Sequence, residues 1–443
     1  MQLAPRALLG EAPHQSGDTG DHVPHVVAWN LTKRCNLECA HCYIAAGPSE
    51  SADGELTTDE VFRITDQILE LNPAPLFILS GGEPLLRDDL EDIARYAVDK
   101  GATVVVGTNG TLLTEDRIRA LEAAGVTGVA VSVESLDPTY HDRFRRGHGS
   151  LGETLVAIDR LRDLEMDFVI QTTLTKGNRA ELASLVAWAA KKGAVAFNAY
   201  FLVTTGRGAG MHSLSPDDVE TLLVELVDLH VEYMGRMMVR SKCAPQFMRL
   251  VRERVPNSPI LKYPTRCPCG VHYCRVTPDG KLTACPYMPK VAGDLRVSSF
   301  AEIWNGSDLL RDLRRPQLEG RCGQCEYRAV CGGCRARAYA ETGNHLASDP
   351  GCVYEPDGSQ PLVEAPSVSY GRAPESGMPW APDAEARMRR IPSFVRGVVV
   401  ERVEAYARRQ GCQIITAELL QEVRKNMPVD FSKRLPFFMR HDD

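Results

Sequence analysis

Three cysteines near the start of the chain have the spacing of an iron–sulfur ligand loop. Cys35, Cys39 and Cys42 stand in the run CNLECAHCY, with an aromatic residue directly after the last of them. A Cys-x3-Cys-x2-Cys loop can bind three irons of a [4Fe–4S] cluster and leave the fourth iron without a protein ligand. An open iron can bind and activate a small molecule, as an open zinc position does in a catalytic site. A zinc knuckle or disulfides are the alternatives for this spacing.

A second group of cysteines lies in the second half of the chain. Its densest part runs from Cys322 to Cys334, where interspersed glycines allow tight chain reversals around a metal. A Pro-Asp-Gly turn between Cys274 and Cys285 predicts a hairpin that presents two ligand candidates. Zinc ribbons are the alternative to iron–sulfur clusters here. The nine members of this group are Cys267, Cys269, Cys274, Cys285, Cys322, Cys325, Cys331, Cys334 and Cys352.

Composition narrows the class of protein. The 443 residues allow two or three domains, and the net charge of −7 gives no reason to expect nucleic acid as a partner. No apolar run approaches a membrane span, and residues 1–21 lack the apolar stretch of a signal peptide, so we expect a cytoplasmic protein. Because thiols stay reduced there, most of the fourteen cysteines are expected to bind metal. The isolated Cys243 and Cys412 are interpreted as small buried side chains.

Alternating apolar and amphipathic runs predict a parallel α/β architecture between residues 22 and 235. Helix signals support it: Thr57 and Glu60 form a capping box, and Gly101, Gly125 and Gly193 stand where helices should end. Six such units are too few for a closed eight-fold barrel. The predicted strands are Val23–Thr32, Pro75–Ser80, Thr103–Thr108, Val129–Glu134, Phe168–Thr173 and Ala194–Phe201, and the predicted helices include Thr57–Leu71, Asp88–Lys100, Glu115–Ala124 and Glu181–Lys192.

Polar residues follow several of these strands, at the sheet edge where parallel α/β proteins bind ligands. Gly81, Gly82 and Glu83 follow the second strand and precede a proline. The glycines would let backbone carbonyls approach a ligand amine, and the carboxylate could neutralise an ammonium. An ordinary turn is the alternative for this motif. Further candidate ligand contacts, each of which could instead be structural, are Tyr43, Asn109, Ser132, Glu134 and Arg145.

The cysteine loop followed by Gly-Gly-Glu-Pro resembles the radical S-adenosylmethionine (SAM) enzymes. This resemblance implies an open (β/α)6 partial TIM barrel, in which the open iron chelates SAM and an electron splits it to a 5′-deoxyadenosyl radical. It places Tyr43 by the adenine, and Asn109, Ser132, Glu134 and Arg145 by the ribose and carboxylate of SAM. It also implies a reducing partner such as ferredoxin or flavodoxin.

The second cysteine group resembles the SPASM extension of these enzymes, which carries one or two auxiliary [4Fe–4S] clusters. Carried over, Cys322, Cys325, Cys331 and Cys352 would bind one cluster. Cys274, Cys285 and Cys334, with Cys267 or Cys269, would bind the other. The chain departs from the common pattern in having two residues between Cys331 and Cys334 where three are usual.

Residues 272–289 and 325–339 resemble the tetrapyrrole-modifying subgroup, which includes the alternative-pathway haem synthase and a haem d1 biosynthesis relative. This implies oxidative decarboxylation of porphyrin propionates, with Arg207, Arg275 and Arg335 as candidate carboxylate ligands that could instead be surface charges. The C-terminal residues resemble the C-terminal domain of the B subunit of protochlorophyllide reductase; a helical docking module is the alternative there. A SPASM peptide maturase is the rival enzyme, and a zinc-binding scaffold the rival non-enzyme.

The predicted domain organisation has six parts. They are a flexible tail at 1–21, the radical SAM core at 22–235, a bridging segment at 236–262, the SPASM domain at 263–356, a linker at 357–385 and a small helical domain at 386–443.

Overall fold

A ten-stranded sheet forms the centre of the molecule in a computed structural model, which describes residues 22–262, 266–365, 377–389, 391 and 393–425. The predicted tail at 1–21 lies outside the described residues, as do 366–376 of the predicted linker and 426–443 of the predicted helical domain. The strands are β1 Val26–Asn30, β2 Leu76–Ser80, β3 Thr103–Thr108, β4 Gly128–Ser132, β5 Phe168–Leu174, β6 Ala196–Phe201, β7 Met238–Lys242, β8 Tyr273–Val276, β9 Lys281–Cys285 and β10 Met288–Asp294.

The sheet order is β10-β9-β8-β1-β2-β3-β4-β5-β6-β7. Strands β1 to β7 are parallel to their neighbours, and β8 also pairs in parallel with β1. Strands β9 and β10 complete an antiparallel meander at that edge. This is the parallel α/β sheet that the sequence predicts, and the six predicted strands are all confirmed with shifts of a few residues at their ends.

The helices that cover one face of the sheet begin and end at the predicted signals. The Thr57–Glu60 capping box precedes α1, and Gly193 ends α6 with a left-handed φ of +90°. Ser215 adds a further cap at the start of α7. The barrel helices are α1 Thr58–Leu71, α2 Leu90–Asp99, α3 Glu115–Ala123, α4 Pro138–Arg145, α5 Ser150–Asp163, α6 Leu182–Lys192, α7 Pro216–Glu232 and α8 Phe247–Arg254.

Alternation along β2 separates an outer face that packs against the helices from a less buried inner face. In β2, Phe77 and Leu79 are fully buried against the helices, whereas Ile78 and Ser80 on the opposite face stay half-buried. A fully packed barrel interior would bury both faces. The inner face of this sheet therefore lines an accessible hollow.

The sheet is larger than the six predicted strands. Strand β7 lies within the predicted bridging segment and pairs with β6, and β8 extends the sheet beyond β1. The sequence MVRSK of β7 escaped recognition because its inner face carries Arg240 and Lys242 instead of apolar residues. The core sheet and the cysteine-rich region, residues 266–356, thus share one continuous sheet.

The cysteine-rich region adds short helices around its hairpin: α9 Phe300–Gly306, α10 Asp308–Arg314, α11 Gly320–Gln324 and α12 Arg335–Thr342. The C-terminal helices are α13 Pro382–Arg389, α14 Ser393–Arg409 and α15 Ala417–Lys425. They enclose a small apolar core of their own, which begins at Met378. Helix α13 begins inside the predicted linker. Its first residue is Pro382, and proline favours a linker in the sequence but is also favourable at the first position of a helix.

The C-terminal helices contact the amino end of β1. Ser393 Oγ lies 2.7 Å from His25 Nδ1 and accepts a hydrogen bond from Asn72 Nδ2 at 2.9 Å, and the Ser393 amide donates to the Ala74 carbonyl. All the side chains in this junction are buried. No helix among the described residues is both long and apolar enough to span a bilayer.

Candidate radical and auxiliary cluster sites

The cysteine loop, residues 35–47, leaves the carboxyl end of β1. The thiols of Cys35, Cys39 and Cys42 belong to one small cluster with Leu37 and Ala46. Cys35 Sγ accepts a hydrogen bond from the Leu37 amide at 3.4 Å, and Cys42 Sγ accepts one from the Ala46 amide at 3.3 Å. Amide donors of this kind stabilise thiolates and the irons they bind.

Gly81 and Gly82 pack directly against this part of the chain. A Cβ on Gly82 would lie 2.3 Å from the Arg34 carbonyl oxygen and 2.9 Å from Cys35 Cβ, and one on Gly81 would lie 2.6 Å from the Thr32 carbonyl oxygen. No side chain fits at these distances. Glycine is required here so that the end of β2 can approach the cysteine loop.

The carboxylate of Glu83 joins the ends of β2 and β3. It is fully buried and accepts hydrogen bonds from Thr108 Oγ1 at 2.8 Å, the Asn109 amide at 2.9 Å and the Leu85 amide at 3.2 Å. Burial raises the pKa of Glu83 to about 7, and these three donors oppose the rise. The side chain of Asn109 reaches the cysteine loop, with its Nδ2 4.0 Å from Cys35 Sγ. Glu83 therefore braces the cluster site.

Glu134 and Arg145 form a buried ion pair beside the second cysteine of the loop. Arg145 donates to Glu134 Oε1 at 2.7 Å and to Cys39 Sγ at 3.6 Å, while Glu134 Oε2 accepts from the Thr173 amide. Burial raises the pKa of Glu134, and the Arg145 charge opposes it. Ser132, at the end of β4, stays half-buried on the inner face. Together with Asn109, which follows β3, these residues are four of the predicted SAM contacts, and they lie at the carboxyl ends of β3 and β4 and on α4.

The donor set fits a [4Fe–4S] cluster with one open iron. Burial is the main reason that the pKa of Cys35 rises to about 12, and coordination to iron would reverse this because metal binding deprotonates a thiol. Among the described residues, no three His, Cys, Asp or Glu side chains converge on one point as they would around a single ion. A [4Fe–4S] cluster distributes its cysteines over separate irons.

Four cysteines of the second group line one hollow. Cys322 Sγ accepts from the Asp349 amide at 3.4 Å, and Cys331 Sγ accepts from the Gly333 amide at 3.5 Å. Gly333 has a φ of +65°, and a Cβ there would lie 3.1 Å from Cys322 Sγ. This hollow fits one auxiliary cluster, with the predicted ligands Cys322, Cys325, Cys331 and Cys352.

A second auxiliary set forms where the hairpin meets α12. The Cys269 thiol lies close enough to those of Cys267 and Cys285 for both to raise its pKa, so the structure brings together the two cysteines between which the sequence left a choice. Cys334 lies near Cys267 and contacts Cys243, which the sequence reading had set aside as an isolated side chain. Cys267, Cys269, Cys285 and Cys334 therefore fit the second auxiliary cluster.

Cys274 is not brought together with these cysteines. It pairs with Val27 in the sheet and shares the outer, apolar face with Val276, whereas Arg275 and Thr283 pair on the inner face. Burial raises the pKa of the Cys274 thiol, and the charge of the neighbouring Arg314 opposes the rise. The alternation of the strand turns Cys274 away from Cys285.

Two of the three predicted substrate arginines are engaged with the protein. Arg207 donates to the carbonyls of Cys39, Ala45 and Ala46 and so clamps the cysteine loop. Arg335 donates to the carbonyls of His345 and Ala347 and to Cys322 Sγ. Both side chains therefore position cysteine ligands.

Arg275 differs from these two arginines. Its NH1 donates to the Pro286 carbonyl, but its buried Nε has no hydrogen-bond acceptor within the described chain. It lies near Tyr43, whose hydroxyl accepts from Asn30 Nδ2 at 2.8 Å. The Tyr43 ring is 5.1 Å from that of Tyr287, and the Tyr287 amide donates to Cys285 Sγ at 3.4 Å. Tyr287 thus joins the radical site to an auxiliary site.

The sequence reading missed Arg240 and Lys242, which lie on the inner face of β7. Their alternation with the buried Val239 is a signal, although it is short and could be recognised only once β7 had been assigned to the sheet.

Comparisons with known proteins agree with this geometry. The profile of the Radical SAM superfamily matches residues 29–189, that of the SPASM iron-sulfur cluster-binding domain matches 267–326, and that of the Proto-chlorophyllide reductase 57 kD subunit matches 380–424. An AdoMet-dependent heme synthase from Methanosarcina barkeri (strain Fusaro / DSM 804) is 41% identical over 345 residues, which cover 76% of this chain and 98% of that protein.

Two further comparisons are more distant. A Pre-heme d1 synthase from Dinoroseobacter shibae (strain DSM 16493 / NCIMB 14021 / DFL 12) is 30% identical over 348 residues, covering 74% of this chain and 85% of that protein. The crystal structure of Streptococcus suis SuiB bound to S-adenosylmethionine superposes with a TM-score of 0.61 at 14% identity, covering 75% of this chain and 78% of that one. At that identity the likeness shows the fold alone.

Proposed function

The chain belongs to the radical SAM superfamily, and from this premise we propose that it oxidatively decarboxylates propionate side chains of iron-coproporphyrin III to vinyl groups. The observation that carries the proposal is the 41% identity to an AdoMet-dependent heme synthase along 98% of that protein. The relatives named Fe-coproporphyrin III synthase and Pre-heme d1 synthase are each 30% identical. Haem synthesis is therefore the reaction best supported among them.

The proposed reaction takes up one electron and returns one electron. When bound, the cluster and SAM would supply, for one electron, a 5′-deoxyadenosyl radical, with methionine as the other product. That radical takes a hydrogen atom from the β-carbon of a propionate, and the carbon radical then loses CO2 and one electron to leave the vinyl group. Cys267, Cys269, Cys285 and Cys334 would hold an auxiliary cluster, and electron acceptance is the chemistry it would supply there.

The residues of the chain have the task of holding both reactants. Arg145 and Arg207 fix the cysteine loop through Cys39, and Glu83 fixes the strand ends beneath it. Hydrogen abstraction requires the propionate carbon to be held next to the radical, so positioning dominates the contribution of the protein. We further propose that the enzyme acts in the cytoplasm and receives its electron from a ferredoxin or flavodoxin.

The test is anaerobic reconstitution followed by assay of SAM cleavage and porphyrin mass. We expect about twelve irons per chain from three four-iron clusters, dithionite-dependent formation of 5′-deoxyadenosine, and loss of CO2 from iron-coproporphyrin III. Cys39→Ser should abolish SAM cleavage. Cys412→Ser, in the separate core of the C-terminal helices, is the matched control and should not.

Two outcomes would contradict the proposal. SAM cleavage without any loss of CO2 from iron-coproporphyrin III would refute the haem-synthase assignment, and a panel of other porphyrins and peptides would then identify the substrate class. A preparation that binds only zinc and cleaves no SAM would indicate a metal-binding scaffold.

A further inference from the structure

The inner face of the sheet carries a pair of cations on its last parallel strand. Arg240 and Lys242 alternate with Val239, which is fully buried in the apolar core behind the sheet. In the register of the two strands, Arg240 lies beside Asn198 and Lys242 beside Tyr200. Since register partners in a sheet point to the same face, all four polar side chains line the hollow.

These cations have no anionic partner in the described part of the chain. Neither Arg240 nor Lys242 forms an ion pair with any described carboxylate, and Arg240 Nε is buried without an acceptor. Asn198 Oδ1 beside them is also buried without a donor. Burial, and then the charge of Arg240, lower the pKa of Lys242 to about 7. Both side chains are partly buried, and adjacent, partly buried cations without a counter-ion destabilise a fold, so a negatively charged ligand would relieve the repulsion.

The pair faces the radical site. Tyr200, the neighbour of Lys242, lies with its ring 6.4 Å from that of Tyr287, and Tyr287 in turn lies 5.1 Å from Tyr43 at the end of the cysteine motif. Arg275, with its own buried and unpaired Nε, approaches Tyr43 from the strand on the other side. Cations thus flank this group of tyrosines from β7 and from β8.

We propose that Arg240 and Lys242, together with Arg275 across the hollow, bind the carboxylates of a polycarboxylated, planar substrate and hold one of them towards the radical site. Arginine suits this role because its fork binds a carboxylate through two parallel hydrogen bonds and fixes its orientation. The inference rests on the proposed function, since the porphyrin named there carries several propionates. Arg240 and Lys242 take the role that the sequence suggested for Arg207 and Arg335, whose guanidinium groups donate to backbone carbonyls instead.

The test measures binding without turnover. Iron-coproporphyrin III is titrated into the reconstituted full-length protein without reductant, and the shift of its absorption band gives the Kd. Arg240→Gln and Lys242→Met should each raise the Kd about 10- to 100-fold, the range expected for loss of a charge-assisted hydrogen bond. The tetramethyl ester, which lacks the carboxylates, should bind the wild type and both variants with the same weakened affinity.

Matched controls separate a loss of charge from a loss of fold. Arg236→Gln removes an exposed cation just before the same strand and should leave the Kd unchanged. Arg240→Lys should recover part of the affinity lost in Arg240→Gln. Iron content should stay at the wild-type level in every variant, and Arg236→Gln should also keep the wild-type rate of substrate-independent 5′-deoxyadenosine formation.

The outcomes also separate this inference from the proposed function. Wild-type decarboxylation together with unchanged Kd values in both variants would overturn the cation site and leave the function intact. Charge-dependent binding without decarboxylation would overturn the function and support the site. If both variants lost affinity for the ester as much as for the acid, the residues would be structural and the inference wrong.

Discussion

At the scale of single residues, the arginines of the molecule differ in the acceptors to which their guanidinium groups donate hydrogen bonds. Arg207 and Arg335 are engaged by backbone carbonyls of cysteine-bearing loops. Arg145 bridges Glu134 and Cys39. Such arginines hold in place the segments that carry the cysteine thiols, and so they position the cluster ligands.

The clamp formed by Arg207 predicts a specific defect. Arg207→Ala removes the donors to three carbonyls of the cysteine loop, so we expect reduced iron in the radical cluster and at least a tenfold loss of 5′-deoxyadenosine formation, with about 1–3 kcal/mol lost from stability. The Kd for the porphyrin should not change. Iron quantification and porphyrin titration check both parts, and Arg146→Ala, an exposed arginine nearby, serves as the control. Weakened porphyrin binding with full iron content would instead support the substrate role expected from the sequence.

Glu83 provides a second test at this scale. Glu83→Ala leaves three buried donors without their acceptor, at about 1–3 kcal/mol each, offset in part by removal of a buried carboxyl group. We expect a net loss of about 2–5 kcal/mol, measured by urea unfolding of the cluster-free protein. Glu38→Ala, half-exposed on the same loop as the cysteines, should change stability by less than about 1 kcal/mol. Equal effects of the two substitutions would show that Glu83 does not brace the strands.

At the scale of elements, the alternation of side chains along strands explains what the sequence could and could not predict. Strands such as β3 and β5 are rich in apolar residues and were placed correctly, as was the helix cap at Thr57. Strand β7 was missed because its two cations face a hollow instead of a core. The hairpin around the Pro-Asp-Gly turn was predicted, but its pairing with β1, which decides the face of each cysteine, depends on long-range contacts.

The register of β8 predicts different roles for two cysteines that the sequence treated alike. Cys269→Ala should lower the iron content by about four irons per chain, because its thiol lies among those of one auxiliary site. Cys274→Ala should retain full iron content and lose only packing, about 1–2 kcal/mol for a small buried side chain. Iron analysis and visible absorption of the reconstituted proteins check this. Loss of four irons in Cys274→Ala would show that β8 presents its other face to the cluster.

At the scale of the whole molecule, the C-terminal helices dock at the end of the barrel opposite the radical cluster site. Ser393 contacts His25 and Asn72 at the amino end of β1, whereas the cysteine loop leaves the carboxyl end of the same strand. In parallel α/β proteins the amino-terminal edge supports stability, and the carboxyl edge carries the active site. The described C-terminal helices therefore contact the edge that supports stability, opposite the edge from which the cysteine loop leaves.

The junction at His25 predicts a dependence of stability on pH. Burial is the main cause that lowers the pKa of His25 from 6.5 to about 3, followed by the charges of His272 and Arg396. Below pH 6.5 the unfolded chain therefore binds a proton that the folded protein excludes, and the free energy of unfolding falls as the pH falls until about 3. The loss amounts to roughly 2 kcal/mol between pH 6.5 and 5.

Urea unfolding of wild type and His25→Gln between pH 5 and 7 measures this contribution. The difference between the two proteins isolates His25 from the other buried histidines, so the variant should show the shallower slope. His148→Gln, at an exposed position, should keep the wild-type slope. Limited proteolysis should show the same trend, with faster release of the C-terminal helices at pH 5 in the wild type than in His25→Gln. Parallel slopes for wild type and His25→Gln would mean that protonation of His25 does not oppose docking, and Ser393 and Asn72 alone would then account for the stability of the junction.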